Sequence, residues 1–482
     1  MTCVFRLRAA GGIASLAILL TACDASLSPT ADRALGDGVV LPARPTVFGF
    51  VDPGRVPGLG IETIFRESPH VHVTYPTLTD EPALGRGLHA WLSRRVRDHL
   101  AARESRRGGP GPSEFNVDWR LTVATGGIVG VRLRVGEFSR DGWTNGYRTF
   151  WYDRTGHRLH PSADLLGRDA LATLADTTRR MLAARRTGIG TDLITPDPDL
   201  FTSLNFNRHG DLVVELDHAR TGAKDRVAVE IPAAAAAPLL SGLGRRVQAA
   251  VRESAAPGIA RAAEPPAAGP HATPQASPAP RTESPDCAHR KCVALAFDDG
   301  PGPYTAEIVE IMNRHGACGT FFALGIGAAV RPDLVARVRE GCGVVGTHTW
   351  SHRDLTTLRL SEIADQLTRG RYAIAGATGT ADTPAGPATG TGPTLLLPPY
   401  GAVGEQVTAA ARDLGFTLVR PDVTVRDGED PAEIVKRVLN EAGRNTIVLL
   451  HESRATVAAL PRLLTRLARR GYTFVTVADL RG

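Results

Sequence analysis

Lysine is almost missing from this chain: of 56 basic side chains only Lys224, Lys291 and Lys436 are lysines, and the others are arginines. We read that bias as the mark of a GC-rich genome rather than of a binding partner. The formal net charge of +6 is diluted over 482 residues with no long basic run, which argues against nucleic acid as a partner. The apolar stretch 9–20 near the start falls short of the roughly 20 residues a helix needs to cross a bilayer. With 43% hydrophobic side chains, the chain has the apolar content of an ordinary soluble globular protein and the length for two or three domains.

What stands at the N-terminus is an export address. Arg6 and Arg8 supply a positive start, the short apolar stretch follows, and Leu20-Thr21-Ala22-Cys23 closes it. These last residues resemble a bacterial lipobox. The resemblance implies cleavage before Cys23, a membrane lipid on that cysteine, and an extracytoplasmic protein anchored to the outer face of the cell membrane. A plain secretory signal is the alternative, and it also exports the chain. Thiols outside the cytoplasm tend to be oxidised. Once Cys3 leaves with the signal and Cys23 carries lipid, Cys287, Cys292, Cys318 and Cys342 remain. Several pairings stay open, and we favour Cys287 with Cys292 and Cys318 with Cys342.

The signal is expected over 1–23 and a polar tether over 24–45. A folded α+β unit is expected over 46–253, with strands near 46–50, 70–74, 117–123, 129–135 and 147–152 and helices near 81–102 and 168–185. In the first helix Leu88, Trp91, Leu92, Val96 and Leu100 recur at helical spacing. His70, His72, His157 and His160 are scattered over strands and turns and are expected to be structural. A linker rich in Ala and Pro is expected over 254–285, where repeated prolines keep the chain extended. From 286 to 482 short apolar strands alternate with helices, which points to a parallel α/β fold. A Gly/Thr/Ala/Pro stretch between 375 and 393 is expected as a surface insertion.

The chemistry gathers in the last unit. Val293-Ala-Leu-Ala-Phe-Asp298-Asp299-Gly300-Pro301 reads as an apolar strand ending in two adjacent carboxylates, where α/β enzymes place their reactive groups. Further on, Thr347-His348-Thr-Trp-Ser-His352 puts two imidazoles four residues apart, again after a short apolar strand. One carboxylate and two imidazoles make a facial set for a divalent metal with open positions. The second carboxylate is left to act as a base.

These motifs resemble the polysaccharide deacetylases of the NodB type, carbohydrate esterase family four. The resemblance implies an irregular (β/α) barrel after the smaller α+β domain, and a hydrolase that removes acetyl groups from N-acetylated cell-wall polysaccharide. It makes Asp299, His348 and His352 the ligands of a divalent metal, zinc or else cobalt, and Asp298 the general base. His451 becomes the acid, with Asp427 holding it. Leu449 and Pro399 belong to the substrate pocket, and Tyr400 offers its backbone NH to the oxyanion. Two departures stand out: Leu397 replaces an arginine that would pair with the base, and Gly428 replaces a tryptophan of the groove wall. Two alternatives stay open, an O-acetyl esterase acting on xylan-type glycans and, favoured by Leu397, a catalytically impaired glycan-binding pseudoenzyme. The run Thr74-Tyr-Pro-Thr-Leu-Thr and the Phe150-Trp-Tyr-Asp-Arg-Thr-Gly hairpin loosely resemble the extracellular domain of lysozyme-responsive anti-sigma factors. That likeness implies a wall-facing module that binds a glycan or a wall-active protein.

Overall fold

The computed structural model describes residues 49–104, 113–185, 190–217, 227–254, 286–378 and 394–481, together with the paired dipeptides Arg33–Ala34 and Val40–Leu41. The signal 1–23, the linker from 255 to 285 and residues 379–393 of the insertion lie outside the described residues, as does the rest of the tether.

Alternating apolar residues build the first sheet. Its strands are β1 (Leu59–Arg66), β2 (His70–Leu78), β3 (Glu114–Ala124), β4 (Ile128–Ser139), β5 (Gly142–Asp153) and β6 (Arg158–Pro161), hydrogen-bonded in that order. All pairings are antiparallel except β2 with β3, which run parallel because helix α1 (Pro82–Glu104) crosses between them. Helix α1 lays Leu84, Leu88, Leu92 and Val96, one turn apart, against Val71, Val73, Phe115 and Val117 of the sheet. The strand expected near 46–50 is reduced, within the described residues, to a single bridge from Val51 to Leu121. A smaller antiparallel sheet of β7 (Ser203–Phe206), β8 (Leu212–Leu216) and β9 (Val227–Ile231) packs with α2 (Ala170–Arg185) and α3 (Gly242–Ser254) around a second apolar core.

The C-terminal unit is the expected parallel α/β fold. Its strands are β10 (Lys291–Asp298), β11 (Thr320–Ala323), β12 (Val344–Thr347), β13 (Leu395–Leu396), β14 (Thr417–Leu418), β15 (Val423–Thr424), β16 (Thr446–His451) and β17 (Tyr472–Val475). They order as β14-β13-β12-β11-β10-β16-β15, with β17 sharing the lower edge of β10, and every pairing is parallel. Helices α4 (Thr305–Arg314), α5 (Gly325–Val330), α6 (Pro332–Glu340), α7 (Leu360–Ala377), α8 (Glu405–Asp413), α9 (Pro431–Glu441) and α10 (Arg454–Arg469) fill the crossovers, as parallel strands require. Both favoured disulfides are present, Cys287–Cys292 and Cys318–Cys342. The second joins the turns that lead into the neighbouring strands β11 and β12.

The two units are packed together. Leu324, Ile326 and Val330, in and just before α5, belong to the same apolar cluster as Val71, Val73 and Phe115. Polar contacts fasten the segment after β12 to the first sheet. Asn116 Nδ2 donates to the Ser351 carbonyl at 2.9 Å, and the Asp354 amide donates to the Glu114 carboxyl group at 3.2 Å. Trp143 Nε1 donates to Thr357 Oγ1 at 3.0 Å, with the Arg353 guanidinium lying over the same indole.

Burial pushes the Glu114 carboxyl up to about 8, against the opposing pull of the Arg353 guanidinium. The folded chain therefore keeps that proton in a range where the unfolded chain, with its ordinary value of 4.5, has released it. Stability conferred by this group falls as pH rises between the two values. Glu114→Gln should flatten that fall. Thermal unfolding of both proteins at about pH 6 and about pH 9 checks it, and equal losses would mean that Glu114 does not titrate there.

Candidate metal and catalytic site

Parallel register assembles the site at the C-terminal ends of the central strands. Asp298 of β10 lies directly beside His451 of β16, and Ala323 of β11 beside Thr347 of β12. Asp299 and His348 each follow the last residue of their strand, so both emerge at the same lip. The His348 amide donates to the Ala323 carbonyl at 2.8 Å, which extends the β11–β12 pairing into the loop. His352 returns to the same point because the loop turns sharply: Thr349 and His352 have φ of 73° and 57°, and Asp299 has 66°. Left-handed backbone at such residues is uncommon and persists where surrounding structure enforces it. Here the enforcing bonds run from the His352 amide to Thr349 Oγ1 at 3.1 Å and from the Ser351 amide to the buried Gln366 at 3.0 Å.

The three groups expected as metal ligands converge. Asp299 Oδ1 stands 3.2 Å from His352 Nε2 and 3.6 Å from His348 Nε2. His348 Nδ1 is committed to the Leu397 carbonyl at 2.6 Å, which orients the ring and leaves Nε2 facing the carboxylate. Asp299 Oδ1 and His348 Nε2 are buried, and neither has a hydrogen-bond partner. Donors of this kind, orphaned and facing one point, fit a divalent cation held at about 2.1 Å by each. Burial raises the Asp299 carboxyl, but His352, His451 and His348 outweigh it and hold the group far below the usual carboxylate range, so it is an anion. Burial keeps His352 neutral, as a ligand must be. Asp298, Asp299 and His451 form a second close trio, but an ion pair already occupies it.

In that pair His451 Nδ1 stands 2.8 Å from Asp298 Oδ1 and 3.4 Å from Asp299 Oδ2, although neither Nδ1 nor Asp298 Oδ1 is aligned for a hydrogen bond. Burial lowers the His451 imidazole, yet the two carboxylates outweigh burial and push it up to about 12. The structure does not bring Asp427 to His451. Asp427 is exposed and makes no hydrogen bond or ion pair with it. It lies on the turn after β15, where the Arg426 amide donates to Glu429 Oε1 at 3.0 Å and Gly428 takes φ of 76°. A tryptophan at 428 would be strained in that conformation.

Tyr400 lies beside the ligands, with its ring edge-on to His352 at 4.6 Å between centroids and its backbone left-handed at φ of 58°. Pro399 is buried just before it. Leu449 and Leu397 are both buried in an apolar cluster with Phe322 and Val419. Leu397 therefore serves the site through its carbonyl, and its side chain contributes packing. Two residues expected to be structural prove to be part of this neighbourhood. His72 stacks on His352 at 4.6 Å, and His70 stacks on Tyr400 at 3.6 Å. Their spacing, two apart on a strand, puts both on one face and was the available signal. What that face meets is set by the packing of the two units.

Residues 286–419 match the polysaccharide deacetylase family. A peptidoglycan-N-acetylglucosamine deacetylase of Listeria monocytogenes, PgdA, is 34% identical over 204 residues, covering 42% of this chain and 41% of that protein. The chain thus spans about two fifths of the length of such curated relatives. Among solved structures, a T48 deacetylase with substrate is 36% identical, with a TM-score of 0.36, over 40% of this chain and 92% of that one. A family-four pseudoenzyme from Bacillus anthracis is 25% identical, with a TM-score of 0.37, over 40% of this chain and 66% of that one.

Proposed function

We propose that this protein hydrolyses acetyl groups from N-acetylated cell-wall glycan, with peptidoglycan as the substrate class, a reading supported by the match of residues 286–419 to the polysaccharide deacetylase family. The observation that carries this reading is the meeting of Asp299, His348 and His352 around orphaned donor atoms next to the Asp298–His451 pair. The compartment follows from the export address, with a lipid on Cys23 as the anchor.

Amide hydrolysis needs a polarised carbonyl, an activated water and a proton for the departing amine. A divalent metal, zinc being our first choice and cobalt the second, supplies Lewis acidity and lowers the pKa of a bound water from about 15.7 to about 7. Asp299, His348 and His352 would hold it. Asp298 sits next to that point and takes the proton as water adds to the acetamide carbon. His451, kept protonated by its two carboxylate neighbours, donates to the nitrogen as the C–N bond breaks, so acetate leaves and a free amine stays on the sugar. The Tyr400 amide, in a left-handed turn beside His352, donates to the developing oxyanion.

Incubating the full chain with Zn²⁺ or Co²⁺ and N-acetylated glycan oligomers, then assaying acetate, tests the reading. Release is expected in the wild type, and Asp298→Asn should lower it by about 10²–10⁴-fold. A second reading, glycan binding without turnover, rests on the apolar side chain of Leu397, which leaves His451 as the cation beside the base. Tight binding with no acetate from any acetylated glycan would establish it.

A further inference from the structure

The first hairpin of the N-terminal unit lies over the reaction centre. Phe65, next to the end of β1, has its ring 5.6 Å from that of His352 and 6.2 Å from that of His451. It therefore stands beside both the metal-ligating side and the acid side of the site. Across the hairpin it is paired in register with His72, whose stack on His352, together with that of His70 on Tyr400, fixes the strands in place. Burial lowers His72 to about 4, so it packs as a neutral ring. Ile61 and Ile64 of the same strand pack into the apolar core of the sheet, whereas Phe65 joins none of the apolar clusters of the described residues and stays half-buried. Its ring lies instead against the imidazoles of His72, His352 and His451, at the edge of the reaction centre.

We propose that Phe65 is a specificity-determining residue, a wall of the acetyl-glycan groove contributed by the N-terminal unit. This rests on the deacetylase reading above. An acetamide seated at the Asp299–His348–His352 trio, beside the Asp298–His451 pair, sets its pyranose ring close to an aromatic ring about 6 Å from the His352 and His451 imidazoles. The C–H face of a sugar is apolar, and aromatic side chains are what binding clefts use to cover such faces. On the turn after β15, Gly428 has open space around it and offers no side chain. The groove is accordingly walled by the hairpin, where the turn after β15 offers no side chain at 428.

The test compares full-length wild type, Phe65→Ala, Phe65→Tyr and, as a packing control, Ile64→Ala, with metal content, kcat and KM measured on one N-acetylated glycan oligomer. The expected result for Phe65→Ala is a KM raised about tenfold, with full metal content and little change in kcat. Phe65→Tyr should restore KM, and Ile64→Ala should lower the unfolding temperature without moving KM. A wild-type KM in Phe65→Ala overturns the proposal. If the wild type releases no acetate, the deacetylase reading fails separately, and calorimetric binding of the same oligomer decides. Binding lost in Phe65→Ala upholds the wall, whereas binding that is absent from the wild type or equal in the two proteins overturns it.

Discussion

His348→Ala should strip the metal from the protein and lower acetate release by at least about 10³-fold. The magnitude follows from what the cation supplies, several kcal/mol of charge stabilisation at about 1.4 kcal/mol per factor of ten. His348 is the ligand least able to be replaced by movement of its neighbours. Its ring is nearly inaccessible and its Nδ1 is tied to the Leu397 carbonyl at 2.6 Å, so Nε2 has one orientation only. Alanine leaves Asp299 and His352 as a two-ligand site, with a cavity where the imidazole was. Elemental analysis of dialysed protein beside the acetate assay checks both halves, and full metal content in this variant would mean that the ligands are assigned wrongly. His72→Ala is the informative contrast. That imidazole is buried next to the same centre but lies face-on to His352, outside the converging trio. The metal should stay.

Which of these features could be read from residues alone follows from how far each depends on distant packing. A carboxylate pair after an apolar strand and a His-x-x-x-His after the next-but-one strand are local patterns, and parallel register then carries them to one lip. The meeting of Asp298, Asp299, His348 and His352 at one lip was legible for that reason. The partner of His451 was not, because choosing between Asp427 and Asp298 needs the β10–β16 register, which sets Asp298 directly beside His451, and the path of the turn after β15. The hairpin is further still from sequence reach. Phe65, His70 and His72 belong to another unit, and nothing in their alternation names the surface they meet. The strand pattern of the first sheet was visible, but the apolar contact of Leu324, Ile326 and Val330 with that sheet joins positions more than two hundred residues apart, with the linker between them.

Asp298→Asn and His451→Gln should each lower kcat by about 10²–10⁴-fold, and the double variant should be little worse than the more damaging single one. Groups that act as a unit lose their function together, and these two are a unit by geometry: 2.8 Å apart, on neighbouring strands, each the closest opposite charge of the other. Removing His451 takes away the acid and also the cation beside the base. A double-mutant cycle on kcat measures the coupling, and strictly multiplicative losses would show that the pair acts independently. The same geometry bears on Leu397→Arg, a change that would offer Asp298 the cationic partner missing at position 397. That partner is already present as His451. The Leu397 side chain, 2% exposed, lies among Phe322, Val419 and Leu449, so an arginine there places a charge in an apolar cluster. Leu397→Arg should therefore leave kcat no higher and cost about 3 kcal/mol of stability, read as a lower unfolding temperature. A faster, equally stable variant would mean that the guanidinium reaches Asp298 and that the imidazole works better freed from it.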